Sequence, residues 1–164
     1  MSIEKVRDFL AQYNRAEDIQ EFTVSSATVE LAAEALGVEP ARIAKTLSFF
    51  DGDGCILVVA AGDAKVDNAK FKAQFGMKAK MLSPEEVEAR TGHAIGGVCP
   101  FANPAGARVF LDASLRRFET VFPACGSSNS AIELSCEELE KLAHSLQWVD
   151  VCKNWDTAEA DPHA

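Results

Sequence analysis

The sequence predicts a mixed α/β (α+β) domain with a largely antiparallel or barrel-like sheet. Three observations support this class. The chain has 164 residues, enough for one domain with a substantial core. Short apolar runs of strand length alternate with segments whose apolar residues recur at helical spacing. The predicted strands form hairpins separated by helices, without an internal repeat or an interdomain linker. We therefore expect one domain over residues 1–155, followed by a polar tail over 156–164.

Six segments are predicted to be helical: residues 2–13, a helix that ends at 36, a short helix at 40, and the helices 69–75, 84–90 and 136–146. The first is predicted by apolar spacing. N-cap candidates precede the second (Ser25, Ser26, Thr28) and the fourth (Asp63 or Asp67), and a glycine follows each. Pro40 suits a first helical turn. The last two helices begin with the capping-box patterns Ser-Pro-Glu-Glu and Ser-Cys-Glu-Glu.

Eight segments are predicted to be strands: residues 20–24, 43–50, 55–61, 78–82, 108–112, 119–123, 131–134 and 148–151. The second and third flank an Asp-Gly-Asp-Gly turn, which predicts a β-hairpin. The third is almost entirely apolar, as expected of a fully buried strand. A Gly-Ser-Ser-Asn-Ser turn precedes the seventh.

Composition narrows the class of function. The net charge of −9 argues against a protein that holds nucleic acid along an extended track. A local basic patch is nevertheless present, because five lysines share sixteen residues with a single acid, Asp67: Lys65, Lys70, Lys72, Lys78 and Lys80. This patch is either a contact for one end of an RNA or a solvated helix face.

The location expected from the sequence is the cytoplasm. No apolar run approaches the roughly 20 residues of a membrane helix, and the N-terminal residues lack the apolar core of a signal peptide. The five cysteines have scattered spacing that fits neither a disulfide framework nor a metal site. We therefore expect reduced thiols, no metal and no membrane partner.

The stretch 91–106 (TGHAIGGVCPFANPAG) is the centre of the predicted site. Gly96 and Gly97 allow the backbone to approach a ligand closely, and Pro100 and Pro104 stiffen the loop. A stiff loop with bare N–H groups can hold a carbonyl or a phosphate. The alternative is an ordinary connection punctuated by turn residues.

Lys45 is the second unusual feature. If 43–50 is a strand, period two places Lys45 on one face with Ile43, Leu47 and Phe49. An ammonium among these neighbours must reach solvent, find a partner or lose its proton. Lys45 is therefore either a lysine that extends to solvent near a sheet end or a lysine at the mouth of a pocket.

Three features occur together in the order of the YbaK/prolyl-tRNA-editing family, which this chain resembles from about residue 22 to 148. They are Lys45 in its apolar strand, the Gly96-Gly-Val-Cys-Pro100 loop, and the Gly126-Ser-Ser-Asn-Ser130 turn before a capping box. The family comprises free-standing aminoacyl-tRNA deacylases related to the editing domain of bacterial prolyl-tRNA synthetases. The resemblance implies one domain with a curved, barrel-like, mostly antiparallel sheet surrounded by helices, acting without a cofactor or metal.

The resemblance implies hydrolysis, in trans, of the ester that joins a small amino acid (Cys, Ala or Ser) to the 3′ end of a mischarged tRNA, plausibly tRNA-Pro. The family's key lysine falls on Lys45 and its GxxxP loop on Gly96 and Pro100, with His93 added as a candidate acid or base. The predicted substrate-binding residues are Gly97, Val98, Cys99, Gly126, Ser127, Ser128 and Asn129. A serine often stands at position 99 in relatives, and the resemblance leaves the amino acid open.

Two other functions stay open at this stage. One is a non-catalytic module that binds the acceptor end of tRNA or a synthetase, for which prolyl-tRNA synthetase is the candidate partner. The other is a hydrolase of small esters or thioesters in which Cys99 and His93 form a nucleophilic pair.

Overall fold

The computed structural model describes residues 2–155, with the backbone alone for Ser2, so the predicted tail at 156–164 lies outside the described residues. Its α-helices are α1 (Ser2–Ala11), α2 (Val29–Leu36), α3 (Asn68–Phe75), α4 (Pro84–Thr91) and α5 (Cys136–Leu142). Its 3₁₀ helices are Ala16–Asp18, Pro40–Arg42 and Ala113–Arg117. Its strands are β1 (Gln20–Glu21), β2 (Ile43–Asp51), β3 (Gly54–Ala61), β4 (Lys65–Val66), β5 (Ala107–Asp112), β6 (Thr120–Pro123), β7 (Ser130–Ala131), β8 (Leu134–Ser135), β9 (Gln147–Val149) and β10 (Cys152–Lys153).

The mixed α/β class is confirmed, with a main sheet of six strands in the order β8-β6-β2-β3-β5-β9 that curls into a half-barrel. The predicted hairpin forms, since β2 and β3 pair antiparallel along eight residue pairs. The expectation of mostly antiparallel pairing needs correction in this sheet, where β2–β6, β3–β5 and β5–β9 are parallel. Parallel neighbours need long crossover connections, and local turn signals do not reveal which strands those connections join.

Strand β3 is the centre of the core. Its residues from Cys55 to Ala61 are fully buried, which explains their continuous apolar run. Helix α3 packs on the neighbouring strand through Phe71, whose ring lies 4.7 Å from that of Phe49 and 4.6 Å from that of Phe75. Helices α1 and α5 add their own buried residues to the same cluster. The hairpin that carries Lys45 is therefore held rigidly.

Several predicted helix ends are confirmed. The Thr28 side chain accepts from Leu31 N, and Asp67, the second of the two candidates, caps α3. Gly37 and Gly76 end their helices in the left-handed region. The capping box of α5 forms between Ser135 and Glu138.

Other local predictions were wrong. The other predicted capping box, at Ser83, does not form, because the Glu86 carboxylate pairs instead with Arg90 at 2.9 Å. The predicted strand 78–82 is reduced to a single bridge between Phe49 and Met81. Helix α5 ends four residues early, and the chain then pairs with β5 from 146 onward.

A small sheet that the sequence did not predict joins the end of the described chain to the middle. Strand β10 pairs antiparallel with β4, so that Cys152 lies opposite Val66 and Lys153 opposite Lys65. Asp67 N also donates to Val151 O at 2.8 Å. This sheet holds the turn that follows β3.

Candidate active site

A cavity of about 300 Å³ lies beside β2. Its walls come from the segment that leads into α2, from both faces of β2, from the loop after α4 and from the segment between β6 and β7. The lining includes Ser26, Thr28, Ala32, Ile43, Lys45, Thr46, Ser48, Met81, Ile95, Gly96, Val98, Phe122, Ala124 and Ser130. The structure therefore brings Lys45 and the Gly96 loop to one cavity, as the sequence predicted.

Lys45 is half-buried, and two backbone carbonyls position its amine. Nζ donates to Gly62 O at 3.3 Å and to Ala64 O at 2.5 Å, both in the turn after β3. Burial lowers the pKa of this lysine below its ordinary 10.5. An ammonium has three donors, so one N–H remains after these two bonds for an oxygen in the cavity.

The turn that receives this amine is fixed by Gly62. A Cβ at this position would lie 2.1 Å from Pro40 O, so only glycine fits. Gly62 was not predicted from the sequence, and its position directly after a buried strand was the available signal.

The loop after α4 presents two unused backbone donors. Gly96 and Val98 line the cavity, and within residues 2–155 neither N–H makes a hydrogen bond. The intervening Gly97 N donates to Ala94 O at 2.9 Å. Gly96 has φ of +91°, which is why glycine is needed there. The loop can therefore direct N–H groups at a carbonyl oxygen.

The two predicted glycine-containing loops meet directly. A Cβ on Gly97 would lie 2.8 Å from the carbonyl carbon and oxygen of Gly126 and 2.9 Å from Ser127 N. Gly97 therefore serves backbone contact between the loops and does not line the cavity.

The turn after Gly126 is tied to the chain before α2. Asn129 Nδ2 donates to Phe22 O at 2.9 Å, and Ser26 N donates to Ser128 O at 2.6 Å. The Ser127 hydroxyl lies 2.7 Å from the Ser130 hydroxyl. These contacts place Ser127, Ser128 and Asn129 around the cavity wall, and only Ser130 and Ala131 of β7 reach the lining itself.

Thr46 is a polar residue of the cavity lining that was not predicted from the sequence. It lines the cavity, and its Oγ1 is buried without a hydrogen-bond partner within the described chain. A buried hydroxyl without a partner is costly, so the group calls for an explanation in terms of function.

His93, Cys99 and Pro100 do not line this cavity. His93 is fully buried, and its Nε2 lies 2.8 Å from Phe101 O. Because a carbonyl only accepts, Nε2 carries the proton in that bond and is not a free base for Cys99 Sγ, 3.4 Å away. Burial raises the pKa of the Cys99 thiol to about 12, and its exposure is 0%. This geometry argues against a nucleophilic Cys99–His93 pair.

Other classes of site leave no trace in the part of the chain that the structure describes. Over residues 2–155, His, Cys, Asp and Glu side chains do not gather in groups of three or more that could hold a metal ion. Among those residues, no helix has the length and apolar character needed to cross a membrane.

Comparison with known proteins agrees with this geometry. Residues 23–142 match the family model described as "Aminoacyl-tRNA editing domain". The chain is 59% identical to the Bacillus subtilis (strain 168) protein YwhH, named as uncharacterized, over 95% of this chain and 100% of the relative. It is 29% identical to EbsC of Enterococcus faecalis, provisionally named a Cys-tRNA(Pro)/Cys-tRNA(Cys) deacylase, over 71% and 73% of the two chains.

A solved structure shares the fold across nearly the whole chain. It is described as a provisionally assigned trans-editing enzyme for prolyl tRNA synthetase, with a TM-score of 0.83 and 29% identity over 93% of this chain and 97% of the other. The family match covers well over half of the sequence, including β2 and both glycine-containing loops. The chain therefore belongs to the aminoacyl-tRNA editing domain family.

Proposed function

We propose that this protein hydrolyses, in trans, the ester of a mischarged tRNA that carries a small amino acid. The observation that carries the proposal is the shared cavity, which Lys45 lines together with Gly96 and Val98, whose N–H groups make no hydrogen bond within residues 2–155. This arrangement supplies positive charge and hydrogen-bond donors to an ester carbonyl. The family assignment supports the same reaction.

The chemistry needs no strong nucleophile, because an aminoacyl ester is already activated. Water adds to the carbonyl carbon, negative charge develops on its oxygen, and the ribose oxygen then leaves and takes up a proton. Donors fixed in advance stabilise the developing charge, and one such donor typically contributes about 3 kcal/mol to the barrier. The third N–H of Lys45 and the loop N–H groups are the donors that we assign to this oxygen.

The cavity favours a small amino acid. Its volume is about 300 Å³, and its largely apolar lining includes small or flat side chains such as Ala32, Ala44, Phe122 and Ala124. Thr46 also lines the cavity, and its hydroxyl is buried behind that surface. Cysteine, alanine and serine fit this description. A difference of one or two methyl groups changes the binding free energy by about 1–3 kcal/mol, which sets how strongly size can exclude a larger amino acid.

The adenosine that carries the ester needs a surface at the cavity mouth. Ile95 is 64% exposed and Met81 56% exposed, and both lie on the lining. Apolar side chains of this kind can pack against a base. Because a solved relative is described as acting for prolyl tRNA synthetase, tRNA-Pro is the first tRNA to test and that synthetase the first partner protein. The reaction would then take place in the cytoplasm, where tRNA is charged.

The test is a panel of tRNA-Pro carrying cysteine, alanine, serine or proline, with the released amino acid measured. The full-length wild type should release at least one small amino acid faster than proline. Lys45→Ala should lower kcat/KM by about 100-fold or more, the value of one lost donor.

Lys141→Ala is the matched control, because Lys141 is exposed and absent from the cavity lining. It should retain the wild-type rate. Wild-type rates in Lys45→Ala would remove the catalytic assignment, and tRNA binding without any hydrolysis by the wild type would favour a non-catalytic module.

A further inference from the structure

The active-site cavity continues into a groove. A second cavity of about 300 Å³ shares Lys45, Leu47 and Met81 with the first. A third, of about 430 Å³, shares Asn68 and Ala79 with the second. The three cavities are therefore neighbours along the surface from the Gly96 loop to helix α3. We call the outer two cavities the lysine groove, because Lys45, Lys65, Lys72 and Lys78 line them.

The outer lysines of the groove have no carboxylate partners. Lys65, Lys72 and Lys78 are exposed, and within residues 2–155 none of them forms an ion pair or a side-chain hydrogen bond. Many of the arginines, by contrast, pair with a carboxylate: Arg7, Arg15, Arg42, Arg90, Arg108 and Arg117. A protein with a net charge of −9 thus keeps unneutralised positive charge along one path.

Of the two acids nearest in sequence, one is paired with an arginine, and the other, Asp67, caps helix α3 and lies close enough to Lys153 and Lys70 to interact with their charges. Asp67 Oδ1 accepts from Lys70 N at 3.0 Å, and Asp63 pairs with Arg117 at 2.6 Å. The structure also divides the basic patch seen in the sequence. Lys70 pairs with Asp150 at 3.2 Å, and Lys80 lies 5.0 Å over the Phe50 ring, so neither contributes to the groove.

A like-charged pair stands at the middle of this path. Strands β4 and β10 place Lys65 directly opposite Lys153. Like charges in this position destabilise a sheet. The pair places two positive charges beside the second cavity, and the Asp67 carboxylate offsets part of the charge of Lys153.

We infer that the lysine groove binds the phosphodiester backbone of the single-stranded RNA segment whose terminal nucleotide occupies the active-site cavity. This inference rests on the proposed function, which places that nucleotide. The groove begins at Lys45 and Met81, at the mouth of the active site, and continues to Lys72 and Lys78. Successive phosphates contact Lys65, Lys72 and Lys78, while bases pack on Met81. Binding through phosphates is independent of sequence, so the groove positions the strand and the cavity selects the amino acid.

The test measures binding of an uncharged RNA hairpin with a single-stranded CCA end by fluorescence anisotropy, across a KCl series. Each lost phosphate contact on single-stranded RNA reduces the steepness of log affinity against log salt by about 0.7. Relative to its value at 1 M salt, the affinity at 0.1 M salt therefore falls by about fivefold for each lost contact. The Lys72→Gln/Lys78→Gln double variant should therefore bind about 25-fold more weakly than wild type at 0.1 M, with affinities converging at 1 M.

The control double variant Lys5→Gln/Lys141→Gln changes net charge equally at two other exposed lysines and should bind like wild type. If both double variants weakened RNA binding equally, the effect would come from net charge alone and the inference about the groove would be overturned. If Lys72→Gln/Lys78→Gln weakened binding of a blunt hairpin without the CCA end by the same factor, the inference that the groove binds the single strand would be overturned.

A second measurement separates this inference from the proposed function. Hydrolysis of a 3′-aminoacyl adenosine, which has no phosphate, should be unchanged in Lys72→Gln/Lys78→Gln. A large loss there would show that the lysines act in the cavity and not along the strand. Lysine-dependent RNA binding without hydrolysis of either substrate by the wild type would support the groove while refuting the deacylase.

Discussion

Replacement of Gly97 by alanine tests whether contact between the two loops sets the geometry of the site. The new Cβ would lie 2.8 Å from Gly126 C and O, whereas ordinary contact begins at 3.4 Å. The loops must therefore separate by about 0.6 Å, the difference between these distances, because both neighbours are backbone. Gly97 has no positive φ, so this contact is the main cost.

We expect Gly97→Ala to lower the free energy of unfolding by about 1–3 kcal/mol, as overpacking does. That corresponds to a Tm decrease of about 2–4 °C per kcal/mol for a chain of this size. Because a displacement of about 1 Å can cost about 100-fold in rate, a shift near 0.6 Å at Gly96 and Val98 should lower kcat about 10- to 100-fold. Circular dichroism on heating and single-turnover release of the amino acid measure the two effects.

Gly106→Ala is the control, since its Cβ would meet only Gly54 Cα at 3.5 Å. It should leave Tm and kcat within error of wild type. Gly97→Ala with wild-type Tm and kcat would refute the argument that this contact positions the donors.

Three further predictions concern Lys45, Thr46 and His93. We expect hydrolysis to need protonated Lys45, whose pKa is lowered by burial, so kcat/KM should fall as the pH rises, at a pH below the ordinary lysine pKa of 10.5. Lys45→Arg should abolish this fall at high pH, because arginine stays protonated. The same fall in Lys45→Arg would contradict the assignment. Thr46→Val removes a buried hydroxyl without a partner in the described chain and should raise Tm by about 2–4 °C; a lower Tm would show that the hydroxyl stabilises the fold. Burial lowers the pKa of His93, so below its ordinary value of 6.5 the unfolded chain binds a proton that the folded chain does not. The free energy of unfolding should therefore fall between about pH 7 and 5.5, and it should fall less steeply in His93→Gln. Equal dependence of the free energy of unfolding on pH in wild type and variant would exclude His93 as the cause.

The sequence predicted those parts of the fold that local chemistry determines. The Asp-Gly-Asp-Gly turn predicted the β2–β3 hairpin, and glycines marked the ends of α2 and α3. Parallel pairing of β3 with β5 was not predictable in this way, because it depends on a connection that contains two helices.

The candidate site shows the same division. The apolar strand around Lys45 and the loop at Gly96 were visible as unusual patterns, and the structure brings them to one cavity. The position of His93 was not visible, because a histidine beside a glycine-containing loop has the same local signal whether it faces a ligand or, as here, packs inside. Thr46 was overlooked because a threonine in a strand is ordinary until its missing partner is known.

The small sheet between β4 and β10 ties the active amine to the far end of the described chain. Gly62 and Ala64, which accept from Lys45, lie just before β4, and β4 pairs with β10. A purification tag joined close to Cys152, or a shortened protein that stops before it, would therefore disturb an amine about a hundred positions earlier. Such a change would act on the position of the amine as well as on folding, so inactivity of a shortened or tagged preparation would not by itself count against the proposed deacylase function.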